Sequence, residues 1–186
     1  MNNPNETKLI LLIMSVGYVL NFILGMSGSF FPVNSYQQIT LWQVGDSMAI
    51  MASVLAGRLI GTRGQNIASA GFTLLAIAYG VSFASSTLAG SNEEKMATII
   101  LPLVPALFLI SFCRIFPVWL RAGSLLVCIP FFFMYWNVIN KTYSPDNVSN
   151  ILAYFGIQLL GVLWSYYIYR DLKKEDNQAS LHSKKL

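Results

Sequence analysis

Long apolar runs, separated by short polar or glycine-bearing stretches, set the pattern of this chain; the first opens with Leu9-Ile10-Leu11-Leu12-Ile13-Met14 unbroken. A helix needs about 20 mostly apolar residues to cross roughly 30 Å of hydrocarbon. On that measure the pattern predicts six spans, at about 9–26, 41–60, 67–88, 96–113, 122–139 and 151–169. The separators are 27–40, 61–66, 89–95, 114–121 and 140–150. The runs are continuous rather than alternating, which points to helices and away from a membrane barrel. The expected fold is therefore an all-α integral membrane protein. A bundle of six transmembrane helices fills residues 1–170, and a short polar tail, 171–186, extends the last helix into solvent. The first apolar run is longer than the 7–15 residues of a signal-peptide core, and no small-residue cleavage site follows it, so it is read as a retained span.

Composition agrees. Of the 186 residues, 55% are hydrophobic and 11% charged, whereas a soluble domain carries about a quarter charged residues. This excludes a disordered chain, a disulfide scaffold and an ordinary water-soluble enzyme domain.

The charge pattern sets an orientation. Basic residues collect on the cytoplasmic side of short loops. With the N-terminus inside, that side receives Lys8, Arg58, Arg63, Arg114, Arg121, Arg170, Lys173, Lys174, Lys184 and Lys185, and the other only Lys95 and Lys141. Both termini are expected in the cytoplasm of a cell (inner) membrane. The net charge of +4 then needs no nucleic-acid partner to explain it; the expected partner is the lipid bilayer.

Little catalytic chemistry is on offer. The single histidine, His182, lies in the tail, so no haem, zinc or Ser-His-Asp centre can be built around a membrane histidine. Cys113 and Cys128 have no CxxC spacing and are expected at different depths, as small apolar side chains. No metal, cofactor or catalytic set is expected, and an enzyme is disfavoured. A lipid-modifying enzyme using Asp46, or Arg114 and Arg121, is the weakest of the readings considered.

Polar groups inside the spans carry more information, because each is costly in hydrocarbon. Arg58 lies near a helix end and can snorkel; Asp46, about one turn in from the outer end, has a side chain too short for that. Asn21, Gln43, Asn137 and Gln158 fall at similar depth, with Tyr79 and Tyr135 close by. Facing inward, these seven residues would line a pocket open to the outside. Aromatic walls and one carboxylate suit a small neutral or cationic solute. Facing one another pairwise, they would be separate interhelical hydrogen bonds. Small residues recur at four-residue spacing at Ala49, Ser53, Gly57 and Gly61, and again at Ala76, Gly80 and Ala84, which suits close helix packing within the bundle or between subunits. Pro102, Pro105 and Pro130 are expected to bend their helices.

These features favour small-solute binding or transport, as a carrier, a channel protomer or a substrate-binding transporter subunit. The architecture is similar to the substrate-binding S components of energy-coupling-factor transporters, although the first span here lacks the alanines with which those subunits dock. The alternative is a non-transporting subunit, in a homo-oligomer or against another membrane protein.

Overall fold

Every apolar run becomes a helix. The computed structural model describes residues 4–32, 35–87, 93–144 and 147–183, and their helices are α1 (Pro4–Gly28), α2 (Tyr36–Gly61), α3 (Asn66–Thr87), α4 (Glu93–Ile110), α5 (Val118–Leu126), α6 (Cys128–Ile139) and α7 (Val148–Ser183). Parts of the loops expected at 27–40, 89–95 and 140–150 lie outside the described residues, as do Lys184 and Lys185. Five segments are long and apolar enough to cross a membrane: Glu6–Gly28, Tyr36–Gly61, Asn66–Ser85, Val118–Ile139 and Val148–Lys173.

The remaining run differs from expectation. Its helix, α4, runs Glu93–Ile110 and stops before the expected end. The expected end at residue 113 fails because the chain tightens first: Ser111, Phe112 and Cys113 each donate their N–H to the carbonyl three residues back, a narrower turn that commonly closes a helix. Within Val118–Ile139, α5 and α6 meet at Val127, in the turn before Pro130. Proline has no N–H for the Leu126 carbonyl, and its ring crowds it. Val127 nonetheless keeps right-handed angles (φ −65°, ψ −18°), so the span continues through the interruption. The tail does extend the last helix, as far as Ser183.

The helices close into a ring. Each packs against its neighbour in sequence, and α7 returns to α1. Their directions alternate, as the ends show. Glu6 at the start of α1 pairs with Arg58 at the end of α2, at 2.7 Å; Arg63 after α2 pairs with Asp171 late in α7; the Arg114 backbone N–H donates to Gln65 Oε1, at 2.6 Å. One end of the bundle thus gathers these arginines.

Inward stripes at helical spacing fill the ring: Leu11, Met14, Tyr18 and Asn21 on α1; Phe72 and Leu75 on α3; Ile157, Trp164 and Ile168 on α7, all buried. On the arginine-bearing half, Trp164 meets Tyr18, Phe72 and Phe116 at ring centroids of 6.4, 5.4 and 6.4 Å. This aromatic plug joins α1, α3, the α4–α5 connection and α7. The outside is apolar, with Leu12, Ile23, Leu101, Phe132, Phe133 and Ile151 among the exposed side chains. Large apolar side chains covering the outside of an apolar core depart from the surface of a soluble protein and fit a lipid surround.

Close approaches between helices depend on particular small residues. Ala49 and Ser53 are fully buried, and a Cβ on Gly57 or Gly61 would come within 3.3 or 3.0 Å of Ser69 on α3. The α3 stripe behaves differently: Ala76 is buried, but a Cβ on Gly80 would meet nothing within 4 Å, and Ala84 is exposed.

Candidate functional site

Above the plug, on the half away from the arginines, the inward stripes turn polar. On α1, Tyr18 and Asn21 are three residues apart and share a face; both are buried. The Tyr18 hydroxyl and Ser53 Oγ are hydrogen-bonded at 3.1 Å. Asn21 lies against Gly45, its Nδ2 being 3.5 Å from where a Cβ there would stand, and its Oδ1 is buried with no hydrogen-bond partner. The next residue on α2 is Asp46. Its carboxylate lies beside Ser82 of α3 and within electrostatic reach of Tyr79 on α3 and Tyr154 on α7. Tyr18 is also within reach of Tyr79. Polar groups of α1, α2 and α3 therefore lie in the neighbourhood of one carboxylate, with Tyr154 of α7 within electrostatic reach.

Among the described residues no lysine or arginine pairs with Asp46; the described ion pairs are those of Arg58 and Arg63 at the opposite end. Asp46 is half-buried, and a carboxylate withdrawn from water without a cation is costly unless hydrogen bonds or a bound positive group offset the lost hydration. The α6–α7 connection folds in at the open end. Lys141 adopts a left-handed φ of 56°, Asn150 Nδ2 donates to the Ser144 carbonyl at 2.8 Å, and Tyr143 packs onto the core. Burial pushes the Tyr143 hydroxyl above its ordinary range, with a hydrogen bond from Asn150 opposing.

Of the seven residues expected to line a pocket, Asn21, Asp46 and Tyr79 are brought together. Gln158 is on the same half, but its side chain lies over Gly25 of α1, 2.0 Å from where a Cβ would stand. Beside it, Trp42 Nε1 donates to the Gly25 carbonyl at 3.2 Å. Gln43 is half-buried, and its carbonyl accepts from Ser47 Oγ. Asn137 is half-buried near the α6 end, its carbonyl taken by Thr142 N–H. Tyr135 stands on the exposed face of α6 beside Trp136, not in the group around Asp46. Sequence reasoning missed Tyr18, Ser82 and Tyr154. The signal was there for all three: Tyr18 precedes Asn21 by one turn, Ser82 follows Tyr79 by one turn, and Tyr154 precedes buried Ile157 by one turn.

Two surface depressions lie elsewhere. One, of about 200 Å³, is at the arginine-bearing end, between Arg114, Ile115, Phe116, Pro117, Tyr167, Arg170 and Asp171. The other, about 310 Å³, is a wholly apolar dent on α6 between Ile129, Phe132, Phe133 and Trp136. Among the described residues no group of three His, Cys, Asp or Glu side chains is placed to hold a metal ion. No family model matches the chain, and no curated protein or solved structure matches it either.

Proposed function

We propose that this is a six-span membrane protein, both termini cytoplasmic, that binds a small solute from the outer side and serves its transport. The solute is cationic, or neutral and rich in hydrogen-bond donors. One observation carries the reading: the Asp46 carboxylate, without a cation among the described residues, shares the inside of the ring with Tyr79, Tyr154 and the unpartnered Oδ1 of Asn21. Carboxylate and amide oxygens accept hydrogen bonds from an ammonium group, and tyrosine rings attract its charge through their faces. The aromatic plug beneath closes the path toward the arginine-bearing end, so release on that side requires Trp164 and Phe116 to move. The test is thermal unfolding of the purified chain in lipid nanodiscs with ethylammonium, tetramethylammonium and acetamide as probes. A cation-dependent rise that disappears in Asp46→Asn supports the reading. No shift with any probe, or one that survives Asp46→Asn, overturns it.

A second reading, a subunit that packs against another membrane protein or a second copy, has its own support in α3. The outward part of the small-residue stripe, Gly80 and Ala84, is open, and small residues let helix backbones approach closely. Disulfide crosslinking through Gly80→Cys tests it. A covalent dimer or partner adduct formed in native membranes supports it, and an uncrosslinked monomer opposes it.

A further inference from the structure

The depression at the arginine-bearing end has a different chemistry from the Asp46 group. Arg114 and Arg170 both line it, and neither guanidinium meets a carboxylate among the described residues; the one acid on its wall, Asp171, is already paired with Arg63. Among the described residues, two arginines therefore face about 200 Å³ with no carboxylate of their own. The walls are held in place. Arg114's backbone is tied to Gln65. The Arg170 guanidinium lies 5.3 Å from the centre of the Tyr167 ring, and Tyr167 is braced edge-on by Trp119 at 5.9 Å. The floor is apolar: Phe116 is stacked on Trp164 of the plug, with Ile115 and Pro117 beside it. Behind the site, Arg121 Nε donates to the Ser111 carbonyl at 2.6 Å.

We propose that this cleft binds a phosphate group at the membrane surface, the phosphodiester of an anionic phospholipid headgroup or a small free phosphate ester. Guanidinium groups present paired N–H donors that match phosphate oxygens. Basic pockets between membrane helices take lipid headgroups. The volume lies below the roughly 300 Å³ at which sites for drug-sized ligands begin, which fits a headgroup-sized anion. The apolar floor accepts the carbon atoms next to the phosphate. This site is independent of the solute reading, since it uses other residues at the opposite end of the bundle.

The experiment reconstitutes the full chain in nanodiscs of phosphatidylcholine alone and of phosphatidylcholine doped with phosphatidylglycerol. Bound lipid is counted by native mass spectrometry, and thermal unfolding is followed in parallel. Arg114→Gln, Arg170→Gln, their combination and Arg58→Gln, a cation of the same end outside the cleft, are compared. The double variant is expected to weaken the preference for phosphatidylglycerol about 25-fold, the product of two charges each weighing about fivefold near a membrane surface. Arg58→Gln is expected to leave most of it. Glycerol 1-phosphate and inorganic phosphate, added to phosphatidylcholine discs, separate the sources. Stabilisation by phosphatidylglycerol alone assigns the site to a lipid headgroup, and stabilisation by the soluble phosphates, lost in the double variant, assigns it to a free phosphate. Equal losses in Arg58→Gln and the cleft variants overturn the proposal in favour of a diffuse surface field, and no anionic preference in the wild-type chain overturns it outright. Unfolding in phosphatidylcholine alone verifies that the variants fold.

Discussion

Gly161→Ala is the smallest change that reaches the centre of the ring. A Cβ at position 161 on α7 would stand 2.6 Å from Cδ1 of Tyr18 and must open by about 0.8 Å to reach the 3.4 Å at which ordinary contact begins. The Tyr18 ring has nowhere to go: it is 1% exposed, edge-on to Trp164, and its hydroxyl is hydrogen-bonded to Ser53. Forcing a methyl into a filled core costs about 1–3 kcal/mol. Losing the Tyr18–Ser53 hydrogen bond adds about 1 kcal/mol, and the better helix propensity of alanine returns about 1 kcal/mol. The net expectation is a destabilisation of about 1–3 kcal/mol, read as a fall in unfolding midpoint on the order of 5 °C. The assay is thermal unfolding in nanodiscs, run as a double-mutant cycle with Tyr18→Leu, whose shorter side chain leaves room for the methyl. Tyr18→Phe alone isolates the hydrogen bond. An unchanged midpoint in Gly161→Ala refutes the reasoning. So does a penalty of the same size with and without Tyr18→Leu, because the strain must then lie somewhere other than the α1–α7 contact.

Two further outcomes follow from the same geometry. Gly71→Ala and Gly80→Ala, on one helix, are expected to move in opposite directions. The first brings a Cβ to 2.8 Å from the Ile110 backbone nitrogen and 2.9 Å from the Ala106 carbonyl, and separates α3 from α4 at a cost of about 1–3 kcal/mol; the second meets nothing and gains up to about 1 kcal/mol of helix propensity. Paired melting curves check this, and a common direction counts against it. With Cys113 and Cys128 replaced by alanine, Thr142→Cys is expected to react with an impermeant maleimide on intact cells, and Asn66→Cys only after permeabilisation; the reverse order overturns the proposed orientation.

The helical character of the chain was legible because membrane helices advertise themselves twice, by unbroken apolar length and by the polar stretches between. What blurred was backbone behaviour at their ends. The tightening at Ser111 depends on hydrogen bonds of which the sequence carries no mark, whereas the interruption at Val127 was foreshadowed by Pro130, whose effect falls on the turn before it. The site was legible in part. Asp46 stood out because hydrocarbon makes a short carboxylate conspicuous, and Asn21 and Tyr79 lie near it. Tyr135 was misplaced because depth is readable from sequence and helix rotation is not: neighbours at one level can point to the centre or to lipid. Register against a known inward residue was the missing guide. Asp46, Ala49 and Ser53 follow one stripe, and Phe72, Leu75, Tyr79 and Ser82 another, so the small-residue and aromatic repeats that explain packing also indicate which polar side chains share the interior.

That shared stripe bears on how the proposed solute site and helix packing would be joined in this fold. Ser53 is a small residue that lets α2 lie close to its neighbours, and it is also the hydrogen-bond partner that holds Tyr18 beneath Asn21 and Asp46. Tyr18 in turn bears on Trp164, and Trp164 on Phe72 and Phe116, whose loop forms the floor of the arginine cleft. A line of buried contacts thus runs from Ser53 and Tyr18, beside the Asp46 group, to the floor of the basic cleft. Coupling between two sites requires an element with two arrangements that both sites bias. The plug lies between the two sites among the described residues, so a change in the Trp164–Phe116 stack is the expected route for any effect of a phosphate in the cleft on solute binding at Asp46. Trp164→Phe keeps the aromatic contacts but removes the indole N–H, which is buried without a partner, and Trp164→Ala removes the link. If occupancy of the two sites is coupled in the wild type, that coupling should persist in the first variant and vanish in the second.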